Sequence, residues 1–411
     1  MSSARLSPTD FSFLAYEAAH RSVVAEIGAV LVFDGGAPQL DELRKQVAER
    51  LPLLPGLSRV LSRGRAWLRR PRWLSAGEPD LDFHVRERVL ENGSGEAGLH
   101  RGVDDLLTAR LDHRRPLWEI WLLSGFSDTQ FAVVYKVHHC VHDGVELNEV
   151  VRKLFTETPE RPAKLMDAPK PRRAGRGLLS VAADIVRPAP RSPFNGRHSG
   201  RRGLVWASAP LEALRAGAGS TVNDVFLAAL ADALRTWAVG RQVVPERLCA
   251  LVPVSIRARH EHGALGNRLA AVRIRLPMTD ADRALPEIAR DTRNAKEKGL
   301  VAAAAMVAGS AAALPAVLVR GMGELSWNPR VVNLIASNMR GPDDPLSLAG
   351  RPLGQLVIVN FTPQDHLVSV TLVSHRSRVF AGFAADANLP GLAELPQHWL
   401  AALDRLTPRS R

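Results

Sequence analysis

The run from Phe131 to Phe155, FAVVYKVHHCVHDGVELNEVVRKLF, constrains the fold more than any other stretch. Its first half is β-branched and aromatic and predicts a strand. Its second half carries apolar residues at helical spacing, with Asp143-Gly144 between the two. A strand, a turn and a helix follow, and His138, His139, His142 and Asp143 gather at the hand-over. A strand end on a rigid scaffold is where side chains can be aimed into a cleft. Successive strand residues face opposite sides, so His138 and His139 cannot both serve one substrate; one looks into a cavity while the other packs or bonds on the far side. An imidazole can take a proton from an alcohol as it attacks a carbonyl and return it to the leaving group. Gly144 is expected to permit a tight turn, and Asp143 to fix local geometry through a hydrogen bond or an ion pair. An isolated histidine is more often a satisfied structural group; the ordered cluster argues for chemistry.

The 411 residues are 46% hydrophobic, enough chain for two or three domains with buried cores. Cys140 and Cys249 offer no disulfide framework, and the opening MSSARLSPTDFSFLAYE contains no basic-then-apolar leader, so a cytoplasmic location is expected. Charge is uneven. Between Arg161 and Gly203 lie eleven basic residues and two acidic ones, most of the formal net charge of +12. Such a segment suits an anionic membrane or lipid-droplet surface, an acidic ligand such as a CoA phosphate, or a solvated linker. The chain has no zinc-finger spacing or RNP-like aromatics, which argues against nucleic acid. Gly299 to Val319 is uncharged over 21 residues, but alanine dominates it and Pro315 interrupts it, so a buried or interfacial helix pair is expected in place of a membrane span.

The spacing His138-His139-x-x-x-Asp143-Gly144 resembles the HHxxxDG motif of the CoA-dependent acyltransferase superfamily. That group includes chloramphenicol acetyltransferases, peptide-synthetase condensation domains and bacterial wax ester synthase/diacylglycerol acyltransferases. Further blocks resemble the last family in order: Leu6 to Asp10, the Pro116-Leu117-Trp118-Glu119 block, SPFNG at Ser192 to Gly196, the run Ser220 to Trp237, and Ser337-Asn338 with Gly341-Pro342. The resemblance implies an α/β (α+β) fold of two chloramphenicol-acetyltransferase-like lobes with the active-site channel between them. The expected division is 1–158 for the first lobe, 159–203 for a basic linker and 204–411 for the second lobe.

By the same resemblance His139 is the general base, with His138 beside it, and Asp143 is mainly structural. Gly144, Asn223, Asp224 and Asn338 are implied at the substrate, the asparagines as candidate oxyanion donors. Arg257, at the end of the Leu251 to Arg259 strand, is implied as the partner of Asp143. Ser374-His375 stands where the family often has Ser-Tyr. The implied reaction is acyl transfer from acyl-CoA, a co-substrate, to diacylglycerol or a long-chain alcohol, with no cofactor and no metal. Alternatives are another alcohol or an amine as acceptor, a metal held by His138, His142 and Asp143, and a non-catalytic lipid-surface protein.

Overall fold

The computed structural model describes residues 5–62, 70–159, 187–215, 219–257 and 266–407. Most of the basic segment, including the apolar interlude Leu178 to Val186, lies outside these residues. The first half contributes β1 (Glu26–Asp34), β2 (Arg59–Leu61), β3 (Trp73–Ser75), β4 (Val85–Val89), β5 (Trp118–Ser124) and β6 (Gln130–His138). The second half contributes β7 (Arg202–Pro210), β8 (Arg247–Ser255), β9 (Leu269–Pro277) and β10 (Leu334–Arg340). After these come β11 (Ser347–Leu348), β12 (Arg351–Val359), β13 (Val368–His375) and β14 (Arg378–Asp386).

Two six-stranded mixed sheets result, ordered β11-β12-β1-β6-β5-β4 and β7-β14-β13-β10-β8-β9, giving the two-lobed α/β arrangement. The sheets do not follow the two halves of the chain: β12, from the second half, pairs antiparallel with β1 along Gly28 to Phe33. β1 and β6 lie at the centre of their sheet with both faces covered. Their buried residues therefore run almost without a break, which explains a continuous apolar sequence in place of alternation.

Helices cover the sheets. We label α1 (Pro8–Ala19), α2 (Leu40–Arg50), α3 (Gly95–Thr108), α4 (Gly144–Phe155) and α5 (Val222–Val239). The remaining long ones are α6 (Ala281–Glu297), α7 (Leu300–Ser310), α8 (Ala316–Ser326) and α9 (Leu395–Leu406). α5 is buried on nearly every side and forms the spine of the second lobe's core with α6 and α9. α7 and α8 are the expected helix pair, and among the described residues no helix is long and apolar enough to cross a membrane.

The edge strand β7 is closed by the first lobe. Asp104 of α3 accepts the Leu204 N–H at 2.7 Å and Thr108 accepts that of Arg202 at 3.1 Å, so two donors of an otherwise open edge are satisfied. Burial pushes the Asp104 carboxyl up to about 7, so its folded state favours the neutral acid. Stability from this group is present at acid pH and is lost as pH rises toward 7. Asp104→Asn keeps the acceptor oxygen and removes the charge; it should raise the unfolding free energy at pH 8 by on the order of 1 kcal/mol, after allowance for partial exposure, and change little at pH 4. Urea unfolding at the two pH values checks this, and an equal loss at both would refute it.

Candidate active site

β6 ends at His138, whose N–H bonds Leu117 O, and the next residue turns away, its N–H bonding Ala25 O at 2.9 Å. This break separates the two imidazoles. His138 is fully buried behind the strand, with Nδ1 accepting the Cys140 N–H at 3.0 Å and Nε2 facing Glu17 Oε2 at 3.3 Å. His139 turns the other way. Its ring stacks on Phe13 at 3.8 Å and 8°, meets the edge of Phe361, and lines a cavity of about 280 Å³ between the lobes.

The walls of that cavity are mostly apolar, with Leu251 and Val272 from the second sheet, Ala304 and Val307 from α7, Met322 from α8, and Trp327; Thr9, Ser12, Arg273, Ser326 and Asn360 are its polar lining. Burial pushes the His139 imidazole down to about 4, so at neutral pH the ring is unprotonated and carries a free lone pair. Among the described residues its Nδ1 is buried without a hydrogen-bond partner. The arrangement is a neutral base at the wall of a greasy chamber.

Asp143 is built into the scaffold. It is the N-cap of α4, with Oδ1 accepting the Glu146 N–H at 3.0 Å, while Oδ2 takes the Arg268 N–H at 2.9 Å and Arg257 Nη2 at 2.8 Å. Burial raises its carboxyl, but the Arg257 charge and the backbone donors outweigh burial and hold it below the ordinary range. Arg257 also donates to Gly266 O at 2.7 Å. The carboxylate thus points across the lobes, away from the cavity.

Other expected site residues fall elsewhere. Gly144 does not adopt a left-handed turn; a Cβ there would lie 2.0 Å from Met339 Sδ, so the glycine makes room for β10. Asp224 accepts from Thr221 and from Thr292 Oγ1 at 2.7 Å, capping α5 and tying it to α6. Neither Asp224 nor its half-buried neighbour Asn223 lines the cavity. Asn338 is corrected by strand parity: Ile335 faces the cavity, so Ser337 and Met339 share its side, while Asn338 shares the side of Leu334 and Ala336 in the second lobe's core. His375 Nδ1–H donates to Pro342 O at 2.8 Å and so holds the Gly341-Pro342 turn.

Residues that sequence reading passed over complete the setting. Asn267 donates to Asp10 Oδ1 and to His139 O, each at 2.7 Å, and its own N–H bonds the same Asp10 oxygen at 2.8 Å. Gly266 has φ +93 and a Cβ there would approach Asp10 Oδ2 to 2.9 Å, so this contact needs glycine. Glu17 accepts the Ala25 N–H at 3.0 Å, steadying the peptide whose carbonyl holds His139. The only local signal was the Ser7-x-x-Asp10 pair, which closes a capping box on α1.

As to metals, His138, His142 and Asp143 diverge, toward Glu17, the Tyr135 hydroxyl and Arg257 respectively. Glu17, His113 and His138 do bring ligand atoms within 4.8 Å of one another. However, the Cys140 N–H on His138 Nδ1 leaves the ring's own proton on Nε2, where a metal would need the lone pair. The trio is a buried polar cluster in which both rings face the Glu17 carboxylate.

Comparison with known proteins bears on the fold and the family. A family model described as the wax ester synthase/diacylglycerol acyltransferase catalytic domain matches residues 6–187, and the C-terminal domain model of the same family matches 265–407. A protein of Mycobacterium tuberculosis named as a probable diacylglycerol O-acyltransferase, tgs1, is 29% identical over 93% of this chain and 90% of its own length. The solved wax ester synthase/diacylglycerol acyltransferase of Marinobacter aquaeolei superposes with a TM-score of 0.72 at 27% identity, covering 98% of each chain. The starter condensation domain of rhizomide synthetase, solved with C8-CoA, shares the fold with a TM-score of 0.65 at 14% identity, over 99% of this chain and 94% of its own.

Removing one partner of the Asp143–Arg257 pair strands a buried charge, at a cost of roughly 3 to 5 kcal/mol. Asp143→Asn and Arg257→Ala should each lower the melting temperature and the activity, and the double variant should lose less than the sum. Melting temperatures that add without coupling, or an unchanged melting temperature in Asp143→Asn, would show that the contact does not hold the lobes.

Proposed function

The chain belongs to the wax ester synthase/diacylglycerol acyltransferase family, and on that premise we propose that it moves a long-chain acyl group from acyl-CoA to the hydroxyl of diacylglycerol or of a long-chain alcohol. The observation that carries this reading is the neutral His139 ring at the wall of an apolar cavity reached by both lobes. A chamber with mostly apolar walls suits a hydrocarbon chain and its ester carbonyl.

In the proposed reaction His139 takes the proton of the acceptor hydroxyl as its oxygen attacks the thioester carbonyl. The tetrahedral intermediate collapses with loss of the CoA thiolate, and His139 returns the proton to that sulfur. A thioester is already activated, so no enzyme nucleophile and no cofactor is called for. Cys140 does not supply one: burial pushes its thiol well up, it does not line the cavity, and its N–H is engaged by His138. His138 and Asp143 act at one remove, by fixing the two ends of the turn that carries His139. Contact with a membrane or lipid droplet is part of the proposal, since both acceptors partition into lipid.

Radiolabelled acyl-CoA offered with diacylglycerol and with a long-chain alcohol, separately and in competition, should yield the corresponding esters. His139→Ala should cut turnover by about a hundredfold or more while the melting temperature stays near wild type. Wild-type-like turnover in the folded variant would remove His139 as the base.

The pH profile gives an independent check. A base with a lowered pKa stays deprotonated as pH falls through the ordinary histidine value of about 6.5. The rate should therefore hold from neutrality to roughly pH 5.5 and fall only as His139 protonates near about 4. An acid limb centred near 6.5 would mean that the ring is hydrated during turnover.

A further inference from the structure

α7 and α8 are apolar on two sides. Their inner faces wall the cavity through Ala304, Val307, Ala308, Val319 and Met322. Their outer faces present Met306 at 53% exposure, Val317 at 67%, Leu318 at 52% and Leu325 at 45%. Only five other large apolar side chains are comparably exposed among the described residues, and none of those lies on a cavity-lining helix, so the pair concentrates exposed apolar surface in one place. A surface helix of a water-soluble protein ordinarily carries one apolar stripe and one polar face; α7 lacks the polar face, and that of α8 is reduced to Arg320, Glu324 and Ser326.

Charge fits one kind of occupant. From Leu300 to Val319 there is no ionisable side chain, and α8 adds only Arg320 and Glu324. Glu324 is matched by His20 at 2.8 Å and Arg320 at 3.8 Å. Arg70 reaches the connection between the helices, donating to Ala312 O at 2.8 Å. An uncharged patch bordered by Arg70 and Arg320 complements apolar acyl chains beneath anionic headgroups. At 11 residues each, the helices are too short to span a bilayer and suited to lie along one.

We propose that the outer face of α7 and α8 docks on an anionic phospholipid surface, so that one layer of helix separates the lipid from the catalytic cavity and the acceptor passes between the two without crossing water. The proposal rests on the acyltransferase reading for its destination, the cavity, and identifies the route to it.

Both native cysteines are buried, so Leu318→Cys labelled with an environment-sensitive fluorophore places a probe on this face. With vesicles of phosphatidylglycerol and phosphatidylethanolamine the probe should shift to the blue, and a label at Val89→Cys, 73% exposed on β4, should not. Val317→Asp/Leu318→Asp should reduce vesicle binding by at least about tenfold. These positions lie in the first turn of α8, where carboxylates favour the helix, so the fold should survive. The variant should keep activity toward a detergent-dispersed acceptor and lose it toward vesicle-embedded diacylglycerol. No blue shift at residue 318, or wild-type vesicle binding by the folded double variant, overturns the docking. A shift that follows protein concentration without vesicles overturns it in favour of a second copy of this chain. Docking without ester formation from any acceptor would overturn the proposed function and leave the docking in place.

Discussion

The buried contact of Asp143 with Arg257 and the Arg268 N–H is the constraint on which the rest of the active centre depends. One carboxylate does three things at once: it starts α4, it closes the turn that follows His139, and it binds the second lobe. A charge buried this deeply is tolerated only with several donors around it. The donors to Oδ2, Arg257 and the Arg268 N–H, come from residues far away in sequence, so correct assembly of the lobes and correct presentation of His139 are the same event. Asp10 and Asn267 repeat the pattern a few ångströms away, with a second buried carboxylate from the first lobe met by a peptide of the second.

The two histidines divide the strand end into an oily front and an ionic back. Behind β6, Glu17 is drawn upward by burial, but His113, His138 and the Ala25 N–H outweigh that and keep it ionised. Lys136 lies two residues before His138 on the same side, bonding Leu106 O and facing Glu26 at 3.7 Å. In front stand Phe13, Phe361 and the cavity. The electrostatic work of holding the turn is thereby kept away from the face where a neutral base is wanted.

How much of this could be read in the sequence depended on range. The β6-turn-α4 unit was legible because its signals are local: β-branched residues, an Asp cap, and apolar spacing of 3.6. The opposite facing of His138 and His139 was expected from strand alternation, although His139 lies just past the end of β6 and is turned by the break there. Family resemblance supplied the Asp143–Arg257 pairing, which no local rule could reach across 114 positions. Asn338 was misplaced because parity depends on where a strand sits against its neighbours, and one residue of offset exchanges Ser337 for Asn338. Asn223 and Asp224 were misplaced because a capping box and a ligand-binding pair look alike in sequence. Gly144 had a reason that only the approach of Met339 reveals. Asn267 carried no signal, since its partner Asp10 is 257 residues away.

The place of β12 beside β1 has a consequence for how the molecule is made. During synthesis the first lobe emerges with β1 paired to β6 on one side and with its other row of N–H and C=O groups bare. That edge stays open until residue 359 has left the ribosome, and an open edge of this length accepts any extended chain that meets it. The apolar Gly28-Ala29-Val30-Leu31 register is therefore without its second neighbour until β12 has been made, more than two hundred positions after β6. A chain divided between α4 and β7 would give a first fragment with its sheet ending at β1, and a second in which β12 keeps only the two-residue β11 beside it.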